Sequence, residues 1–149
     1  LLGDVQCSSQ IGTLMRFNKF TLLCPNEKEA RIALQDNNSG IEKISRDIIK
    51  TLNVRGLIMK LGQNGLIAYD SFDQKNNIRE SFPALTVNPL DVAGAGDSLM
   101  AIMANGLASG HSIMTSSALA TCMASISVST IGNVPIGSDK LIKYLKNLL

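Results

Sequence analysis

The chain carries three residues with almost no side chain, Gly94-Ala95-Gly96, directly before a carboxylate, Asp97. A run with apolar residues at helical spacing follows, with Leu99, Ile102, Met103 and Leu107 on one stripe. This pattern predicts a helix from about Ala95, entered through a turn that only small residues allow. A helix start leaves backbone N–H groups unpaired and adds partial positive charge. Glycine and alanine let an anion come close to those groups, above all an anion that gains charge in a transition state. A carboxylate beside such a hole can hold a hydroxyl and take its proton. The same residues also read more simply: Gly94 allows a turn and Asp97 favours the helix dipole. Asp91, just upstream, can likewise be a turn acceptor. No Gly-Lys-Ser/Thr follows, so the loop is not a Walker A loop, and it is not Gly-x-Gly-x-x-Gly either.

The rest of the chain reads as alternating strands and helices. Leu1 to Val5 is a short apolar run, and "SSQIGTLMRF" a helix started by Ser8 or Ser9. Thr21 to Cys24 is a second apolar run, stopped by Pro25. "NEKEARIAL" then forms a helix, in which Asn26 and Glu29 have the spacing of a capping box. "DNNSG" is a turn, and Ser39 with Glu42 reads as a second capping box. It opens a helix with Ile41, Ile44, Ile48, Ile49 and Leu52 on one stripe. "GLIMKLG", the tight turn "QNG" and "LIAYD" predict a β-hairpin. "DQKNN" is a further turn, before "IRESF" and "ALTV", and Asn88-Pro89 breaks the chain. Ser112 opens a long helix ending near Gly132, and Ser138 caps the last one. Lys60, inside its strand, points to solvent or reaches phosphate, and His111 is a surface residue. Met100, Met103, Met114 and Met123 are core filler. Strands alternating with helices over 149 residues point to one α/β layered domain.

Composition narrows the classes. The net charge is +2, with both signs spread along the chain, so no basic block argues for nucleic acid or an anionic membrane. Three scattered cysteines, Cys7, Cys24 and Cys122, and a single histidine give no zinc pattern and suit a reducing compartment. No apolar run is long enough to span a membrane, and a soluble cytoplasmic protein is the expectation. The chain opens on "LLGDVQC" like the interior of a fold, so an N-terminal part of a larger protein is expected to precede it.

"DVAGAGDSLMAIMANGLASG" resembles the C-terminal signature of the ribokinase-like carbohydrate kinases. "PNEKEA" resembles that family's Asn-x-x-Glu motif, "KLGQNG" its strand-turn-strand element, and "IGNVPIG" its late loop beside the purine. The likeness runs along the whole chain but matches only the second half of a family member. It implies a three-layer α/β/α sandwich with a mainly parallel sheet and a β-hairpin, incomplete here. It implies ATP-dependent phosphorylation of a sugar or sugar-phosphate hydroxyl. Asp97 would be the base, and the backbone of Gly94, Ala95 and Gly96 the anion hole. Asp91 would stand on the substrate or cation side. Asn26 and Glu29 would organise Mg²⁺ and phosphates through water, Gly62 and Gly65 would lie against ATP, and Asn133 would approach the base of the nucleotide. ATP and Mg²⁺ are the implied cofactors, with a monovalent cation as a further candidate and a homodimer as a candidate assembly. Val92 and Ala93 depart from the threonine-rich pair common in the family, which puts one side-chain hydroxyl in doubt. "DVQCSSQIG", "CPNEKEAR" and "VAGAGD" resemble most the heptose-phosphate kinase branch, the kinase module of ADP-heptose synthase. Two other readings stay open: a non-catalytic nucleotide-binding module, and a ribokinase-like vitamin kinase.

Overall fold

The computed structural model describes residues 1–4, 14–71, 78–132 and 134–148. They form two compact units, residues 1–62 with 66–81 and residues 63–65 with 82–149. The expected helix over "SSQIGTLMRF" lies mostly outside the described residues, as do Val5, Cys7 and the "DQKNN" turn. Of that stretch Leu14 to Phe17 are described, with Leu14–Arg16 as one 3₁₀ turn.

The first unit is built on a sheet. Strands β1 (Leu2–Gly3), β2 (Leu22–Leu23), β3 (Gly56–Lys60), β4 (Leu66–Asp70) and β5 (Ile78–Phe82) lie in that order. β1, β2 and β3 are parallel, with Leu2 beside Leu22 and Leu22 beside Gly56. β4 runs antiparallel to β3, with Ile58 opposite Ala68, so the predicted hairpin is real. Between β2 and β3 the chain crosses over through α1 (Glu27–Leu34) and α2 (Ile41–Leu52), as parallel strands require.

Alternation along the strands sorts the core. Leu23, Leu57, Met59, Ile67 and Tyr69 pack in one cluster with Ala30 of α1 and Ile44, Ile48 and Leu52 of α2. The expected stripe of α2 is that contact face, with Ile41 and Ile49 at its edge. Leu22, Cys24, Ile58 and Ala68 alternate with these and are also buried. That is why "GLIM" and "LIAY" read as continuous apolar runs. Burial pushes the Cys24 thiol up to about 12, the Asp4 carboxylate adds to the rise, and Lys60 opposes it.

The second unit is helical: α3 (Ala95–Ala108), α4 (Ile113–Val128) and α5 (Ser138–Leu148). α3 and α4 approach closely at Gly106, where an added Cβ would overlap Ser116. Met103 and Met123 are buried as expected, whereas Met100 and Met114 are half-buried. His111 is exposed.

Four local expectations are corrected. α2 is not opened by a box of Ser39 and Glu42; its cap is Gly40, which has no side chain to bond with. Ser39 is taken by the preceding turn instead: its N–H donates to Asp36 Oδ1 and its carbonyl accepts from Arg31. The tight turn at "QNG" holds, as a 3₁₀ turn over Gly62–Asn64. "ALTV" adds no strand. α4 stops at Val128, short of Gly132, and the hydroxyls of Ser129 and Thr130 bond back to the carbonyls of Ser125 and Ile126. Such bonds compete with helix continuation. Ser138 is the first residue of α5 itself.

Two predictions follow from this packing. Gly65 has φ +84°, and a Cβ there would strike Phe82 O and come within 2.7 Å of Ala84 N. Gly62 has φ +58° but open space around it. Urea unfolding should show Gly65→Ala costing at least ~1–3 kcal/mol, and Gly62→Ala only about 1 kcal/mol. Equal losses would contradict the steric account. For Cys24, raising the folded pKa makes stability flat below about pH 9, the thiol's ordinary value, and makes it fall as pH rises from there toward 12. Iodoacetamide at pH 8 should therefore leave Cys24 unmodified until denaturant is added, as mass spectrometry would show.

Candidate active site

The two helix starts singled out by the sequence are built differently. At α1, Asn26 is the cap: its Oδ1 accepts from Glu29 N at 2.8 Å, and Glu29 Oε2 accepts from Asn26 N at 2.7 Å. Glu29 is only 6% exposed. The capping box is thus complete, and one Glu29 oxygen takes part in none of its bonds. Asn26 follows β2 directly and bridges to Lys60 at the end of β3, so the box stands at the carboxyl ends of the parallel strands. In open α/β sheets ligands bind at those ends.

At α3 the cap is Gly94 in the left-handed region, φ +74°, with no side-chain bond. Asp97 occupies the position that Glu29 holds in α1, three residues past the cap, but its carboxylate is exposed. It takes no hydrogen bond or ion pair among the described residues. It does not close a capping box. The N–H groups of Gly94, Gly96 and Asp97 also find no acceptor among the described residues. Among the described residues, open backbone donors and an unpaired carboxylate therefore stand in one helical turn.

Asp91 behaves as a turn acceptor. Its Oδ1 takes Ala93 N at 2.9 Å and its Oδ2 takes Gly132 N at 3.0 Å. These two donors hold its pKa below the ordinary carboxylate value. The carboxylate therefore ties the approach to the glycine loop to the loop after α4. Asn133, next in that loop, lies outside the described residues.

Lys60 neither points free into solvent nor stands alone. Its Nζ lies 2.9 Å from both oxygens of Asp4, with side chains 19% and 22% exposed. Only the fold reveals this pair, because Asp4 and Lys60 are far apart in sequence and meet across β1, β2 and β3. Gly62 is open and Gly65 is crowded by backbone, so the two glycines serve the turn for different reasons. The structure brings Asn26 and Glu29 together in the first unit, and Asp91 and residues 94–97 together in the second. Two clefts, of about 470 Å³ beside Glu27 and Arg31 and about 700 Å³ beside Arg46 and Tyr69, include neither Asp97 nor the glycine loop.

No three carboxylate, histidine or cysteine side chains cluster as a metal site among the described residues. The spare Glu29 oxygen and the Asn26 amide fit a hydrated Mg²⁺ held through its waters, which is how this ion is often kept.

Residues 5–138 match the pfkB family of carbohydrate kinases. The chain is 35% identical over 136 residues to the bifunctional protein HldE of Campylobacter jejuni, covering 87% of this chain and 27% of that protein. It is 30% identical to the protein of the same name from Bradyrhizobium diazoefficiens, over 81% of this chain and 24% of that one. Ribokinase from Thermotoga maritima superposes with a TM-score of 0.72 at 26% identity, over 85% of this chain and 42% of the other. Phosphofructokinase-2 from Escherichia coli does so with a TM-score of 0.76 at 20% identity, over 90% and 43%. The chain thus spans about a quarter of the length of these curated relatives and about two fifths of the solved kinases. The fold is the ribokinase-like α/β fold expected from the sequence, its sheet parallel from β1 to β3 with an antiparallel hairpin. On the family match and these relatives together, the chain belongs to the pfkB family of carbohydrate kinases.

Proposed function

We propose that these 149 residues are the C-terminal, nucleotide-binding half of an ATP-dependent carbohydrate kinase acting in the cytoplasm. One observation carries the reading: α3 starts with free N–H groups at Gly94 and Gly96 and a carboxylate at Asp97 that caps nothing. A helix needing only a stable start would use such a carboxylate as α1 uses Glu29. A protein that merely bound a nucleotide would need no base there.

In this reading the acceptor hydroxyl is held by Asp97. Its oxygen attacks the terminal phosphorus of ATP, its proton passes to the Asp97 carboxylate, and the bond from that phosphorus to the ADP oxygen breaks. The backbone donors of Gly94 and Gly96 stabilise the charge on the phosphoryl oxygens, as phosphoryl transfer demands, whereas Ala95 N–H, expected to join them, already donates to Val92 O at 3.4 Å. Asn26 and Glu29 hold the waters of Mg²⁺, which would neutralise phosphate charge. Gly62 and Gly65 shape the turn beside the nucleotide, and Asn133 is the candidate, by the family resemblance alone, to approach its base. Asp91 orders the loop, with a monovalent cation as a further occupant of its side. The acceptor is a sugar or sugar phosphate. Heptose phosphate is the first candidate, supported by the stretches that resemble that kinase branch.

ADP release by the full-length protein with Mg²⁺-ATP, against sugars, sugar phosphates, pyridoxal and hydroxymethylpyrimidine, tests the reading. A sugar-dependent signal is expected, and turnover of the vitamins alone would replace sugar by vitamin as acceptor. Asp97→Asn should keep ATP binding and lower kcat by about 10²-fold or more. ATP binding without turnover of any acceptor would favour a binding module. The isolated 149 residues should give no turnover, because the sugar pocket is expected to need the other half. Activity of the fragment would refute that division.

A further inference from the structure

The stretch that leads through Asp91 to the glycine loop has little apolar anchorage of its own, unlike α3, where Leu99 and Met103 are buried. Leu85, Val87, Leu90 and Val92 are all exposed, Val87 at 91%. Burial does not fix a segment whose apolar side chains face outward, so its position depends on polar contacts. The described contacts converge on the last turn of α4. The Val128 carbonyl, one of those a helix end leaves unpaired, accepts Leu90 N at 2.7 Å and Asp91 N at 3.2 Å. The Ser98 hydroxyl, next to Asp97, donates to the Ser127 hydroxyl at 3.4 Å. The Thr86 hydroxyl lies 2.6 Å from the Ser125 hydroxyl, which lies 3.0 Å from the Tyr144 hydroxyl of α5. Ser125 is 6% exposed.

We propose that the hydroxyl chain Thr86–Ser125–Tyr144 is a positioning device that holds the entry of the Asp91–Asp97 segment on α4 and sets the reach of Asp97. Thr86, Ser125 and Tyr144 are positioning residues, and they touch no substrate in this account. Two links among three hydroxyls need two of their three protons, so both can be filled at once, and the Thr86 hydroxyl also lies 3.3 Å from the Ser125 carbonyl oxygen, to which it can donate. A partly buried chain of this kind is worth more than its separate pairs. The backbone bonds at Val128 hold the middle of the segment, and the Thr86 link sets where it enters. A small displacement there is felt at the reacting atoms, because phosphoryl transfer depends on alignment.

The inference rests on the kinase reading for its catalytic meaning, but not for its structural one, and the test separates them. In the full-length protein, Thr86→Val removes the hydroxyl and keeps the shape, Thr86→Ser returns the hydroxyl, and Tyr144→Phe cuts the far end of the chain. Amide hydrogen exchange over residues 88–98 is measured alongside kcat and KM for Mg²⁺-ATP. Thr86→Val should speed exchange in that segment and lower kcat about tenfold, with KM within about twofold. Thr86→Ser should recover both. Tyr144→Phe should change both in the same direction, and the double variant should lose less than the product of the single losses. Unchanged exchange in Thr86→Val would overturn the proposal, as would a loss that Thr86→Ser does not recover. If no acceptor is ever turned over, the exchange readout still decides whether the chain positions the segment. The kinase reading would then fail on its own.

Discussion

An α-helix begins with N–H groups that have no partner inside the helix, and this constraint organises the protein. α1 answers it fully, with Asn26 and Glu29 each bonding the other's backbone. α3 leaves it open, because a left-handed glycine cap has no side chain to offer and Asp97 does not reach back. The cost of an open helix start is small where a solvent or an anion can take the donors. Two helix starts with an acid at the same position are therefore built in opposite ways, one closed by its own side chains and one left open.

The open start can be kept only because other parts of the fold hold it. Asp91 bonds forward to Ala93 and across to Gly132, and Val128 receives the backbone of Leu90 and Asp91. Serines and threonines in α4 make this support available. Ser117 and Thr121 inside the helix, and Ser129 and Thr130 just past its end, return their hydroxyls to carbonyls four residues earlier, so polar residues are buried in α4 without a comparable number of stranded groups. Ser116 is the exception: its hydroxyl is buried without a partner among the described residues, close against Gly106. Ser125 meets Thr86 of the preceding loop instead, and Ser127 accepts from Ser98 of α3.

Much of this was legible in the residues. The α2 stripe, the two apolar strands of the hairpin, the Asn26–Glu29 box and the start of α3 all follow from periodicity and side-chain chemistry over a few residues. The misreadings also have local causes. Ser39 has the composition of a cap, but Asp36 competes for it three residues earlier. α4 has an apolar pattern that runs past Val128, but Ser129 and Thr130 at its end bond their hydroxyls back to the carbonyls of Ser125 and Ile126, and the Ser125 carbonyl then serves both the Ser129 N–H and its hydroxyl. A short-range rule ranks one partner at a time, and these positions have two.

The sequence alone determined the order of strands and helices and the family. It also identified the small-residue loop before Asp97, because these depend on side-chain types at fixed spacing. Only the tertiary structure decided which polar groups meet across that order. Asp4 and Lys60 pair over three parallel strands, Asp91 reaches Gly132, and Thr86 reaches Ser125 and through it Tyr144. It also decided that Asp97 stays free where Glu29 is bonded. Those outcomes depend on where the chain returns in space, and a hydrogen bond is fixed by distance and direction rather than by separation along the chain.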